Sequence, residues 1–251
     1  MKTTDYSKIA AKYDDNKLRH YIEKDINIEN ICKKNSNQQI SVLDLACGTG
    51  NYLVKQISEY KKNPIKWLGI DKSPEMLNIA KQKSLNAELL IGDACKIPLE
   101  DNSIDYIKIR FAFHHFADKQ KAIQEIYRIL KTNGEVSIYN INHDYMQYSW
   151  VYKFYPQVVQ IDKERFPKTL DLFNWLDNAG FETQASINTI IKKFYYKDIL
   201  EDARNRDMSQ LNLISDEEYQ IGLDKIIAAS KTAEYLVSDI AFMDFHSKKI
   251  N

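Results

Sequence analysis

Residues 40–53, ISVLDLACGTGNYL, constrain the fold of this chain more than any other stretch. Ile40, Val42, Leu43 and Leu45 form a short apolar run of strand type, with Asp44 inside it. Ala46-Cys47-Gly48-Thr49-Gly50 follows at once, and helical patterning begins near Asn51. Strand, glycine turn and helix in that order bring backbone N–H groups and a helix N-terminus against a ligand. Gly48 and Gly50 permit positive φ and let the backbone approach that ligand with no Cβ in the way. A dinucleotide fingerprint needs a third glycine, and Leu53 stands there instead, so the turn alone fits other α/β proteins equally well. Residues 65–71, IKWLGID, read as a second strand. Its terminal Asp71 falls about 20 residues beyond Gly50, where an α/β nucleotide site sets its ribose-binding acid.

The rest of the chain extends this pattern. Residues 1–36 carry Ile9, Tyr13, Tyr21, Ile22, Ile26 and Ile31 at roughly helical spacing, which predicts one or two helices before the first strand. Ser73-Pro74 opens a helix as N-cap and first residue, with Glu75 in the first turn. AELLIGD (87–93) is a third strand, residues 96–103 a loop, and IDYIKIRF (104–111) a fourth strand. DKQKAIQEIYRILKTNGEV (118–136) predicts an amphipathic helix stopped by Asn133-Gly134, then a fifth strand over 136–142. Residues 143–166 crowd Tyr145, Tyr148, Trp150, Tyr152, Phe154 and Tyr155 into a helical insertion. A helix over 170–181 ends at Gly180, a sixth strand covers 182–190, a mostly helical segment covers 195–232, and a last strand lies around 235–246.

Five segments, VLDLACGTGNYL (42–53), GIDKSPEML (69–77), IGDACKIPLEDNSIDYI (91–107), FAFHHF (111–116) and IYRILKTNGEVSIYN (126–140), resemble the class I S-adenosylmethionine (SAM) dependent methyltransferases. Their order and spacing are most similar to the small-molecule branch with the ubiquinone/menaquinone-biosynthesis-like and type 11 enzymes. The resemblance implies a Rossmann-like, seven-stranded, mostly parallel sheet with helices on both faces, and a helical cap from the N-terminus and two insertions. One methyltransferase domain over 1–251 is expected: an N-terminal segment (1–36), a SAM-binding core (37–142), acceptor-cap insertions (143–166 and 195–232), and the rest of the sheet (167–194 and 233–251). It also implies SAM as cofactor and S-adenosylhomocysteine as product. The cofactor set carried over is Asp44, Ala46, Gly48, Thr49, Gly50, Asp71, Lys72, Met76, Asp93, Ala94, Arg110 and Tyr13. Asp71 is expected on the ribose, Met76 against the adenine and Asp93 on its amino group. Ala46 stands where many members have glycine, and Lys72 where an apolar residue is common.

Strand four runs into Arg110-Phe111-Ala112-Phe113-His114-His115-Phe116. Ligands of open α/β sheets lie outside the carboxyl ends of the strands. His114 and His115 are therefore the candidate catalytic residues, one facing the site and one facing away. A general base or acceptor-orienting role competes with helix capping and pocket lining. Acceptor contacts are expected from Tyr6, Tyr145, Tyr148, Trp150, Tyr152 and Arg206. Aromatic faces suit an apolar or aromatic acceptor, or cation–π contact with a sulfonium.

Bulk properties narrow the partners. The 251 residues carry 35 basic and 35 acidic side chains, so strong attraction to nucleic acid or an anionic membrane is not expected. Cys32, Cys47 and Cys95 form no metal-type spacing and no disulfide framework, and no metal is expected. No secretory leader and no apolar run of about 18 residues is read, so a cytoplasmic location is the expectation; the assembly is expected to be a monomer or homodimer, which the sequence leaves open. The alternatives are a tRNA or protein methyltransferase, a non-catalytic SAM-binding protein, and, more distantly, an NAD-dependent oxidoreductase. The missing D/N-P-P-Y/F run after strand four and the missing Pro-Cys pair argue against the first.

Overall fold

The computed structural model describes residues 22–36, 38–206 and 208–250. Its elements run α1 Ile26–Lys34, β1 Ile40–Leu45, α2 Asn51–Glu59, β2 Ile65–Asp71, α3 Pro74–Gln82, β3 Glu88–Ile91, β4 Ile104–Arg110 and α4 Lys119–Ile129. They continue with β5 Leu130–Ile141, α5 Trp150–Phe154, α6 Val158–Arg165, α7 Thr169–Asn178, β6 Phe181–Tyr195, α8 Tyr196–Asn205, α9 Asp216–Ser230 and β7 Tyr235–Lys249. The helices expected before α1, in residues 1–21, lie outside the described residues.

The seven strands form one sheet in the order β3-β2-β1-β4-β5-β7-β6. β1 pairs in parallel with β2 and β4, β2 with β3, and β4 with β5. Strand order reverses between β1 and β4, so their carboxyl ends flank the switch point where open sheets take ligands. Strand periodicity assigns the faces. Val42 and Asp44 of β1 pair with Tyr106 and Lys108 of β4 and share one face with them. There Ile28, Ile31, Ile40, Val42, Tyr52, Leu53, Trp67 and Tyr106 form one apolar core with α1 and α2. Leu43, Leu45, Ile107 and Ile109 point the other way and are fully buried. Each such side chain contributes about 1.5–3 kcal/mol.

Helix ends follow local chemistry. Ser73 accepts the Met76 N–H at 3.2 Å with Pro74 at the first position, and Asp118 accepts the Lys121 N–H at 2.9 Å. Ser215 and Glu218 close a reciprocal capping box on α9. One boundary departs from expectation. α4 ends at Ile129, not at Asn133-Gly134, and β5 begins at Leu130. The register of β4 against β5 jumps from Ile104–Leu130 to Tyr106–Glu135, so residues 131–134 bulge. Asn133 takes φ +66°, and a Cβ on Gly134 would sit 2.8 Å from the Lys131 carbonyl. The pair that reads as a helix stop shapes a bulge.

The chain divides into two compact units, residues 22–140, 172–185 and 244–250 in one, Ile141–Asp171 and Ser186–Met243 in the other. The second has its own aromatic core of Trp150, Tyr152, Phe154, Tyr155, Phe166 and Tyr196 with Ile199, Leu211 and Ile226. No helix among the described residues is long and apolar enough to cross a membrane.

Candidate cofactor and active site

The turn after β1 is held by its own backbone and by one distant carboxylate. Ala46, Gly48 and Gly50 take φ of +63°, +54° and +77°. The Cys47 N–H donates to the Ile70 carbonyl at 3.0 Å, and the Gly50 N–H to the Cys47 carbonyl at 2.9 Å. The Gly48 N–H donates to Asp71 Oδ2 at 2.7 Å, and the Ser73 N–H to Asp71 Oδ1 at 2.9 Å. One carboxylate thus ties the glycine turn to the start of α3, and each of its oxygens keeps a lone pair for a hydroxyl. Burial pushes the Asp71 carboxyl up, and the N–H groups of Ser73, Gly48 and Lys72 pull it back. A Cβ on Gly50 would press Leu85 and Ala80 at 3.1 and 3.2 Å, whereas one on Gly48 would meet nothing within 4 Å. The space above Gly48 is open, with Asp71 at its rim. Thr49 is buried.

Asp44 is 3 % exposed. Burial and the neighbouring Asp71 push its carboxyl up to about 7, against the opposing pull of Arg110 and Lys108. The folded state therefore holds the Asp44 proton up to about pH 7, while the unfolded chain releases it near pH 4. Its own contribution lowers stability as pH rises through that window. A cationic ligand favours the ionised form. Affinity for a cationic ligand is expected to rise from pH 6 to pH 8 by up to about tenfold, the ratio for a group that titrates near 7. Asp44→Asn is expected to flatten that rise, as read by calorimetry across pH; an identical profile in the variant removes Asp44 from the site.

Other expected cofactor residues come together differently. Lys72 Nζ pairs with Asp93 Oδ2 at 2.9 Å, and the Cys95 N–H donates to Asp93 Oδ1 at 2.8 Å. The Cys95 N–H, then Lys72, hold the Asp93 carboxyl below its usual value. Met76 and Ala94 are buried. Arg110 lies 4.7 Å over the Phe111 ring. Phe111 takes φ +52° and meets Tyr139 edge-on at 5.2 Å, turning the chain sharply after β4. Tyr6 and Tyr13 lie outside the described residues.

His114 is 5 % exposed, and Asn140 Nδ2 lies 3.2 Å from its Nδ1. With the amide donating, Nδ1 accepts and the neutral ring carries its proton on Nε2. His115 is half-buried, and its ring centroid lies 3.8 Å from that of His114 with the planes tilted by 42°. The two rings lie side by side instead of facing opposite ways, in a 3₁₀ turn over Phe113–His115. Among the described residues no three His, Cys, Asp or Glu side chains gather as metal ligands.

In the second unit, Tyr145 and Tyr148 are 48 % and 58 % exposed, whereas Trp150 and Tyr152 belong to the unit's own core. The Tyr152 hydroxyl donates to Asp162 at 2.8 Å, and Asp162 is ion-paired with the equally buried Arg165. Arg206 donates to the carbonyls of Leu211 and Ile214 and to Asp216, and covers the Tyr219 ring at 4.5 Å. Its side chain clamps the loop that leads into α9.

Sequence patterning did not single out Asp25 or Lys108. Asp25 Oδ2 accepts from Tyr52 at 2.7 Å and Tyr106 at 2.9 Å, and lies 3.9 Å from Lys108 Nζ. Lys108 also donates to Ser137 Oγ at 2.8 Å. The signal was a lysine between two isoleucines of a strand otherwise buried on both faces.

Comparison with known proteins gives a consistent likeness. A family model described as a methyltransferase domain matches residues 36–204. A demethylmenaquinone methyltransferase of Staphylococcus epidermidis is 32 % identical over 147 residues, 55 % of this chain and 59 % of that protein. An uncharacterised methyltransferase of Schizosaccharomyces pombe is 33 % identical over 169 residues, 65 % of this chain and 63 % of that one. The chain thus spans about three fifths of the length of these relatives. Among solved structures, a protein of Anabaena variabilis described as a methyltransferase from an antibiotic biosynthesis pathway superposes with TM-score 0.65 at 20 % identity. That match covers 88 % of this chain and 96 % of that one.

Proposed function

Because this chain belongs to the family of S-adenosylmethionine-dependent methyltransferases, we propose that it methylates a small, apolar or aromatic metabolite on oxygen, nitrogen or carbon. The observation that carries the donor side is the open turn above Gly48 with Asp71 at its rim. The small-molecule reading is supported by the name of the S. epidermidis relative and by a formal net charge of zero. When bound, the sulfonium of SAM supplies a methyl group that is already activated. The chain's own task is then orientation, worth about 7–11 kcal/mol, against roughly 10²–10⁴-fold from a general base. Gly48, Asp71 and Met76 hold the donor, and a histidine takes the proton of a phenolic acceptor.

Of the two histidines, His115 is the more accessible, since His114 is 5 % exposed and turns Nδ1 toward Asn140. His115→Ala is expected to lower the rate at saturating SAM at least tenfold with a phenolic acceptor, and His114→Ala less. If neither substitution reaches tenfold, no histidine base operates. The acceptor class is tested by incubating the protein with methyl-labelled SAM and a cell extract. Label in organic-soluble small molecules supports the proposal. Label in acid-precipitable polymer replaces it with an RNA or protein acceptor, and label in neither, with SAM bound, leaves a non-catalytic SAM-binding protein.

A further inference from the structure

We infer that the outer edge of β6 is a homodimer interface, where this strand pairs antiparallel with β6 of a second copy of the chain. β6 ends the strand order of the sheet, and no strand among the described residues pairs with its outer side. Its inner side is taken by β7. The Thr183 hydroxyl meets that of Ser247 at 3.0 Å, and the Tyr196 N–H donates to the Glu234 carbonyl at 3.0 Å, which sets those two strands antiparallel.

The outer side lacks the usual protection. Edge strands are kept solitary by shortness, proline, bulges or a central charge. β6 is 15 residues long, holds neither proline nor glycine, and is exposed at every position from Gln184 to Lys193. Ile187, Ile190 and Ile191 are 43 %, 46 % and 72 % exposed. Its charges stand only toward its ends, Glu182 at the start and Lys192 and Lys193 near the finish.

That charge order selects the occupant and the register. Glu182 and Lys192 are an even number of residues apart and share one face of the strand. A two-fold axis at Ile187 sets Glu182 opposite the partner's Lys192, twice, and Ile187 opposite the partner's Ile187. Parallel pairing would instead set like charges together, which is unfavourable across strands. The strand is therefore complementary to a second copy of itself, the requirement for a closed two-fold contact.

The test uses the full-length protein in sedimentation velocity across a concentration series. The wild type is expected to dimerise. Lys192→Glu is expected to weaken association at least tenfold, and Glu182→Lys combined with Lys192→Glu to restore it. Ile187→Cys, on the axis, is expected to cross-link to a dimer under mild oxidation well beyond the background of the three native cysteines. A wild type that stays monomeric, or an Ile187→Cys variant that cross-links no more than wild type, overturns the interface. So does a monomer that pellets with anionic phospholipid vesicles, which would assign the edge to a membrane surface. Hydrogen-exchange protection of 184–193 in a monomer also overturns it, in favour of residues 1–21 of the same chain.

Discussion

Asp71→Ala is expected to weaken binding of S-adenosylhomocysteine by a hundredfold or more. Two N–H groups, from Gly48 and Ser73, converge on this carboxylate and lose their acceptor together. On the proposed assignment of Asp71 to the ribose, the two ribose hydroxyls of the ligand are expected to lose theirs as well. Hydrogen bonds to a charged group contribute about 1.5–3 kcal/mol each, so losing those to the ribose alone accounts for about 3 kcal/mol or more, over a hundredfold in affinity. Asp71→Asn separates the two effects. Its amide nitrogen would face one N–H donor while the remaining oxygen still accepts, so an intermediate loss is expected. Titration calorimetry with S-adenosylhomocysteine reads both variants, with far-ultraviolet circular dichroism to show that each is folded. Unchanged affinity in Asp71→Ala removes the residue from the cofactor site.

Asp25→Ala is expected to destabilise the fold by about 3–5 kcal/mol, the range for removing one partner of a buried charge pair. The carboxylate, at the N-cap of α1, gathers the hydroxyls of Tyr52 and Tyr106 and the Lys108 ammonium on one face of the sheet. Its backbone N–H donates to Gln56 and its carbonyl accepts from Tyr60, which seats α1 against α2. Burial, with Asp25 close by, holds both phenols un-ionised, so they remain donors at any ordinary pH. Without the carboxylate, two hydroxyls and one ammonium stay buried while a shared acceptor is gone. Urea denaturation followed by tryptophan fluorescence measures the change. Asp25→Asn, which still accepts through its amide oxygen, is expected to lose less. A change below about 1 kcal/mol in Asp25→Ala would show that the network is replaceable by solvent.

What was legible in the sequence was local. Alternation and apolar runs marked ISVLDL, IKWLGID and IDYIKIRF as strands, since burial on a pleated surface is written residue by residue. Ser73-Pro74 marked a helix start because an N-cap satisfies backbone donors only three residues away. The glycine turn was legible for the same reason, as its φ values depend on which residues lack a Cβ. Partners were not legible. Lys72 and Asp93 both read as cofactor residues, and only the pairing of β2 with β3 sets them side by side. Arg206 and Tyr152 read as acceptor contacts, and only the fold shows the arginine on Leu211, Ile214 and Asp216 and the phenol on Asp162. Tyr52 and Tyr106 meet Asp25 across 27 and 81 residues of chain. By itself the sequence determined the strands and the glycine turn. Only the tertiary structure decided which polar groups satisfy one another, because a buried donor takes whichever acceptor the packing of distant segments brings within about 3 Å.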